Sequence, residues 1–171
     1  GTLPGHPYKK WDGTHWVLAQ LADQGYPPGD PRLIPLREQE LDWLLSEKHL
    51  NSVHIINGKA RRCASQESNA IYALLTLELA DARVDELVRR LLLWQWPDGG
   101  WNCDVNPEAR ISSFHESWIP LRALSLYARL RQDSIVQAAV ERTAELFLAR
   151  RLFRKLTSGS LMHPSFSQLA Y

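Results

Sequence analysis

The chain has 171 residues, with 20 Lys and Arg against 19 Asp and Glu and a formal charge of +1. That balance creates no broad field to steer the protein toward nucleic acid or an anionic membrane, so no nucleic-acid partner is expected. The richest apolar stretch, Ala70 to Ala80, is broken by Thr76 and Glu78, well short of the roughly 18 continuous apolar residues of a membrane-spanning helix, so no transmembrane segment is expected.

The length suits one domain around one sizeable core. Cys63 and Cys103 are too few and too far apart for a disulfide framework, and no secretory signal is visible, so a reducing, cytoplasmic setting is expected. A chain opening on Gly1, with Met162 as its single methionine, points to a processed start or a fragment. Seven tryptophans supply large aromatic area for packing or for lining an apolar pocket.

The first predicted helix runs from about Trp11 to Gln24. Trp16, Val17, Leu18, Ala19, Leu21 and Ala22 leave it little polar face, and Gly25 with Pro27-Pro28 stops it. The second opens at Asp30-Pro31, or at Pro35, and carries Leu41, Leu44 and Leu45 toward Lys48. Val53-His54-Ile55-Ile56 is strand-like, and Asn57-Gly58 is a strong hairpin-turn signal.

A third, mostly apolar helix is predicted over Ser65–Leu79. The fourth, with Val84, Leu87, Val88 and Leu91 on one stripe, ends at Pro97-Asp98-Gly99-Gly100. Ser113-Phe114-His115-Glu116 has the spacing of a capping box and starts the fifth helix, which Pro120 kinks or begins. The sixth spans about Ser134–Phe153.

An apolar helix followed by an amphipathic one thus recurs three times at a period near fifty residues, in hairpins at about 11–48, 65–96 and 113–153. Such a period implies a repeat architecture in which each unit buries its neighbour's face. An α/α toroid, with apolar helices inside, and a straight solenoid both satisfy it.

Gln95-Trp96-Pro97-Asp98-Gly99-Gly100-Trp101 fits the Gln-x-x-x-Gly-x-Trp core of the QW repeat of squalene and oxidosqualene cyclases, and the Asp-Gly-Gly-Trp form of prenyltransferase repeats. Glycines there permit positive φ, the glutamine amide bonds backbone at a helix end, and the tryptophan packs on the adjacent hairpin. Gly13 to Leu18, Trp101 to Asp104 and Ser112 to His115 resemble segments of bacterial proteins described as squalene cyclase or prenyltransferase repeat proteins.

The chain therefore resembles the terpenoid cyclase and protein prenyltransferase superfamily, over most of its length. The resemblance implies an all-α chain forming half of an α6/α6 toroid, with the remaining hairpins missing and Ser160–Tyr171 an interrupted connection toward them. It also implies a hydrophobic or isoprenoid ligand. The Asp-x-Asp-Asp acid of the cyclases and the Asp-Asp-x-x-Asp magnesium motif are absent from the sequence. Protein prenyltransferases hold zinc with an aspartate, a nearby cysteine and a distant histidine, whereas here Cys103-Asp104 is reversed and His115 comes early. Whether the chain is an enzyme is therefore left open.

In a toroid the inner helices start at one rim, which would gather His15, Cys63, Cys103, Asp104 and His115. Thiols and imidazole suit zinc, and positive helix ends favour thiolate. A zinc site of Cys63, Cys103 and His115 is expected, with His15, Asp104, water or a residue outside the chain as fourth ligand. The competing expectation is two buried cysteines and a histidine in a first helical turn. Arg61 and Arg62, beside Lys59, bind a diphosphate near that rim or sit in a solvated loop. Trp16, Tyr72 and Trp118 line an apolar cavity or fill the core.

Overall fold

The computed structural model describes residues 1–168. Among these the chain is mainly helical. It has α1 (Thr14–Asp23), α2 (Ile34–Leu45), the single turn α3 (Glu47–Leu50), strands β1 (His54–Ile56) and β2 (Lys59–Arg61), then α4 (Ser65–Thr76), α5 (Ala82–Trp94), α6 (Phe114–Arg131) and α7 (Ser134–Ala149). Of the tail Ser160–Tyr171, expected to be an interrupted connection, residues 169–171 lie outside the described residues.

Local chemistry sets the boundaries. Asp30 caps a 3-10 turn at Pro31–Leu33, accepting from Arg32 N, and Pro35 falls in the first turn of α2, where its missing N–H leaves no bond unmade. Asn57 and Gly58 take φ of 52° and 71°, the left-handed pair that joins two antiparallel strands through a two-residue turn. Pro120 lies within the 18-residue α6. The last helix ends at Ala149, four residues before the predicted Phe153, because Arg151 and Leu152 turn into positive φ.

The helix α4 packs on α1, α5 and α6, and α6 packs in turn on α7, so α1, α4 and α6 form a contiguous row through the core. Leu18 of α1, Ile71 and Leu74 of α4, Leu87 and Leu91 of α5, and Leu124 of α6 are all buried there. Burying one such side chain contributes about 1.5–3 kcal/mol.

The turn after α5 fixes α6 and α7 relative to that core. Gln95 Nε2 donates to the carbonyls of Gly99 and Ala139 and to Thr143 Oγ1, each at 3.0 Å, and Gln95 Oε1 accepts from Arg142. The Asp98 carboxylate accepts from Ser112 N (2.7 Å) and Ser112 Oγ (2.6 Å), pulling in the segment that leads to α6. Trp101 is buried, and its indole N–H donates to the Leu91 carbonyl at 3.0 Å. Gly99 has φ of 92°, and a Cβ there would meet the Arg142 carbonyl oxygen at 2.3 Å. A Cβ on Gly100 would meet Ser117 Oγ at the same distance. Those two glycines are required by close approach.

Candidate metal centre

Strand β2 delivers the first cysteine. Arg61 forms a parallel bridge with Asn102, and Arg62 N donates to the Asn102 carbonyl at 3.0 Å. The next residue on each side is a cysteine, so Cys63 and Cys103 come together across forty residues of chain. Cys63 enters α4 directly, its carbonyl accepting from Gln66 N at 3.0 Å.

The third group comes from α6. Ser113 caps that helix, accepting from Glu116 N. The reciprocal half of the expected capping box is not made. Ser113 N donates instead to the Trp101 carbonyl at 2.8 Å, and the Glu116 carboxylate turns to the start of α4, where Oε2 accepts from Ser65 N at 3.0 Å. Glu116 Oε1 thereby lies 4.0 Å from Cys103 Sγ, and the donor atoms of Cys63, Cys103 and Glu116 are all within 4.8 Å of one another. Zinc–sulfur bonds of about 2.3 Å put two tetrahedral sulfurs about 3.8 Å apart, so the group would have to draw together to hold a four-coordinate ion.

Burial disfavours ionisation of both Cys63 and Glu116. Burial pushes the Cys63 thiol up to about 12, with the neighbouring Glu116 charge and Cys103 adding to the rise. Burial also raises the Glu116 carboxyl, against the pull of its two Ser65 hydrogen bonds. A divalent cation relieves both effects at once.

Tyr8 lies over this corner, its ring 5.0 Å from His15 and 5.5 Å from both Trp16 and Trp43. Burial raises its phenol, opposed by Gln66 and reinforced by Cys63 and Glu116. Sequence reasoning missed Tyr8 and Glu116 as site residues. The first lies in a stretch with no periodicity, and the second already had a local role as a cap.

The other expected ligands are elsewhere. His115 is exposed and faces an apolar hollow. His15 is buried, with Nδ1 2.8 Å from Glu40 Oε1. Asp104 is exposed, and its Oδ1 accepts from Asn106 N. Neither Arg61 nor Arg62 opens to a phosphate. Arg61 donates to the Ala109 carbonyl and lies 4.4 Å over the Trp96 ring. Arg62 is buried against Glu67 at 2.8 Å and also reaches His49, Gln66 and Ser52. Burial alone would raise the Glu67 carboxyl, but His49 and Arg62 hold it below its ordinary value. Glu40, buried beside His15, is raised by desolvation.

Trp16 and Trp118 do not share a cavity. Trp16 is half-buried in the aromatic group around Tyr8, and Tyr72 stacks under Arg122. Trp118 is 52% exposed and lines, with Phe114, His115, Phe147, Leu148 and Phe166, a hollow of about 700 Å³ between α6 and α7.

No protein-family model, curated protein or solved structure matches this chain. What it does has to be argued from its own geometry. The first turn of α6 is where the two features meet, with Glu116 turned to the thiols and its neighbour His115 turned to the hollow.

Proposed function

We propose that this chain is half of an α/α toroid like that of squalene cyclases and protein prenyltransferase β subunits, with α1, α4 and α6 on the inside. In this proposal it binds one zinc ion through Cys63, Cys103 and Glu116 beside a site for an isoprenoid or other hydrophobic ligand. The observation that carries it is the convergence of two thiols and a carboxylate from three separate segments on the starts of α4 and α6. Supporting the toroid are the contiguous row of α1, α4 and α6 and the Gln95–Trp101 turn that ties successive helices together.

Three protein donors leave a fourth position for water or ligand, the pattern of zinc sites that act as Lewis acids. In this reading the ion would sit at the rim of the toroid, and the α6–α7 hollow, lined by His115 beside Glu116 in the chain, would take the apolar ligand. A noncatalytic role, with a structural ion, is favoured by one observation: the buried His15, Glu40, His49, Glu67 and Arg62 are paired with each other.

Metal analysis by mass spectrometry of the purified full chain tests the zinc. One zinc per chain is expected, retained in His115→Ala and lost in Cys103→Ser. Metal-free wild-type protein after expression in zinc-replete medium and reconstitution would refute it.

A further inference from the structure

The hollow between α6 and α7 has a second compartment beside it. Leu148, Leu152 and Phe153 line the apolar side, while Arg150, Arg151, Arg154 and Lys155 line a polar recess of about 270 Å³. Residues of the two compartments interleave along a single turn. Apolar and cationic walls are therefore built from one stretch of chain.

Three observations point outward from this turn. First, among the described residues none of these four cations has an acidic partner within ion-pair distance, a property they share with Arg61, Arg129, Arg131 and Arg142 but, unlike those, in one stretch of four around a single recess. Second, Arg150 is 4% exposed, and its Nε has no partner among the described residues, its Nη2 donating to the Ser112 carbonyl. Third, Arg151 and Leu152 hold φ of 45° and 68°, a left-handed pair that is unusual for residues with bulky side chains. That backbone sends the Leu152 side chain to the apolar wall and Arg151 to the cationic one.

We propose that the hollow and the 150–155 turn form one binding site for a single-chain amphiphile with an anionic head, a phosphate or a carboxylate. The chain lies against Phe114, Trp118, Phe147 and Leu148, and the head is held by Arg151 and Arg154. A volume near 700 Å³ is within the roughly 300–1,000 Å³ range of small-molecule sites. Planar guanidinium groups bind either head through paired N–H donors. The charge beside the hollow selects a charged amphiphile over a neutral one. This deepens the hydrophobic-ligand part of the proposed function and is independent of the zinc ion.

The test is calorimetric titration of the full chain with monomeric dodecyl phosphate, dodecanoate, dodecanol and inorganic phosphate, with zinc content measured on the same sample so that loss of one property is separable from loss of the other. One molecule of dodecyl phosphate or dodecanoate is expected to bind per chain and to change tryptophan emission through Trp118. Dodecanol should bind about tenfold or more weakly, and Arg151→Gln/Arg154→Gln should weaken the anionic ligands by a similar factor. Leu148→Glu, at a position already 59% exposed, should abolish uptake without altering the circular dichroism. Equal affinity for dodecanol, or anionic binding unchanged in the double variant, would overturn the proposal. So would binding to phosphatidylglycerol vesicles without monomer uptake, or a dimer that covers the hollow and excludes amphiphile.

Discussion

Arg62 and Asn102 are joined by a backbone hydrogen bond of 3.0 Å, and that bond sets the next residue of each segment, Cys63 and Cys103, side by side. The pairing does not depend on either sulfur. Replacing Cys103 by serine should leave the fold intact while removing a proposed zinc ligand.

Zinc uptake should release protons. The Cys63 thiol, pushed up to about 12 by burial and the Glu116 charge, is protonated at neutral pH and must deprotonate to bind the metal. Apparent zinc affinity should rise about tenfold per pH unit from this thiol alone, read by competition with a chromophoric chelator between about pH 6 and 8. Cys63→Ser should flatten that slope and cost more than the roughly 10–100-fold typical of losing an outer-shell residue.

Glu116→Gln should act with opposite signs on the apo and metal-bound chain. The folded carboxyl lies above its ordinary value of 4.5, so its contribution to stability is full below 4.5 and is lost as pH rises through the raised folded value. At neutral pH the apo Gln variant should therefore melt no lower than apo wild type. With zinc present it should melt lower, because one ligand is gone. Calorimetry with and without chelator reads both signs.

The helices were legible through local signals: caps at Asp30 and Ser113, proline at first turns, and apolar spacing along α4 and α5. The cysteine pair was expected from helix starts sharing a rim, whereas it is the backbone pairing of Arg61 and Arg62 with Asn102 that brings Cys63 and Cys103 together, and neither segment signals that pairing in sequence. The third donor was not expected. Ser113 and Glu116 satisfy a local pattern, and only the engagement of Ser113 N by the Trp101 carbonyl frees Glu116 for α4. Arg61 and Arg62 were misread for a related reason, since a short basic run in sequence does not reveal that Glu67 and Trp96 await it in space.

Gly99→Ala and Gly100→Ala should each destabilise the chain by about 2–4 kcal/mol. A methyl at Gly99 meets backbone at 2.3 Å and sits at positive φ, while one at Gly100 meets Ser117, Ser112 and Leu146. Denaturant midpoints at unchanged slope would show it.

Glu67→Ala should cost about 3–5 kcal/mol, because it leaves Arg62 charged and buried. The double change Arg62→Met/Glu67→Leu should cost less than that single substitution. A double-mutant cycle in urea measures the coupling.

Cobalt(II) titration of the reduced full chain probes the proposed metal centre most directly. One equivalent should produce thiolate-to-cobalt charge-transfer absorption together with the visible bands of a tetrahedral ion. Cys63→Ser should halve the former, and His115→Ala should leave both unchanged. A spectrum with no thiolate band, or one abolished by His115→Ala and untouched by Glu116→Ala, would contradict a centre built from Cys63, Cys103 and Glu116.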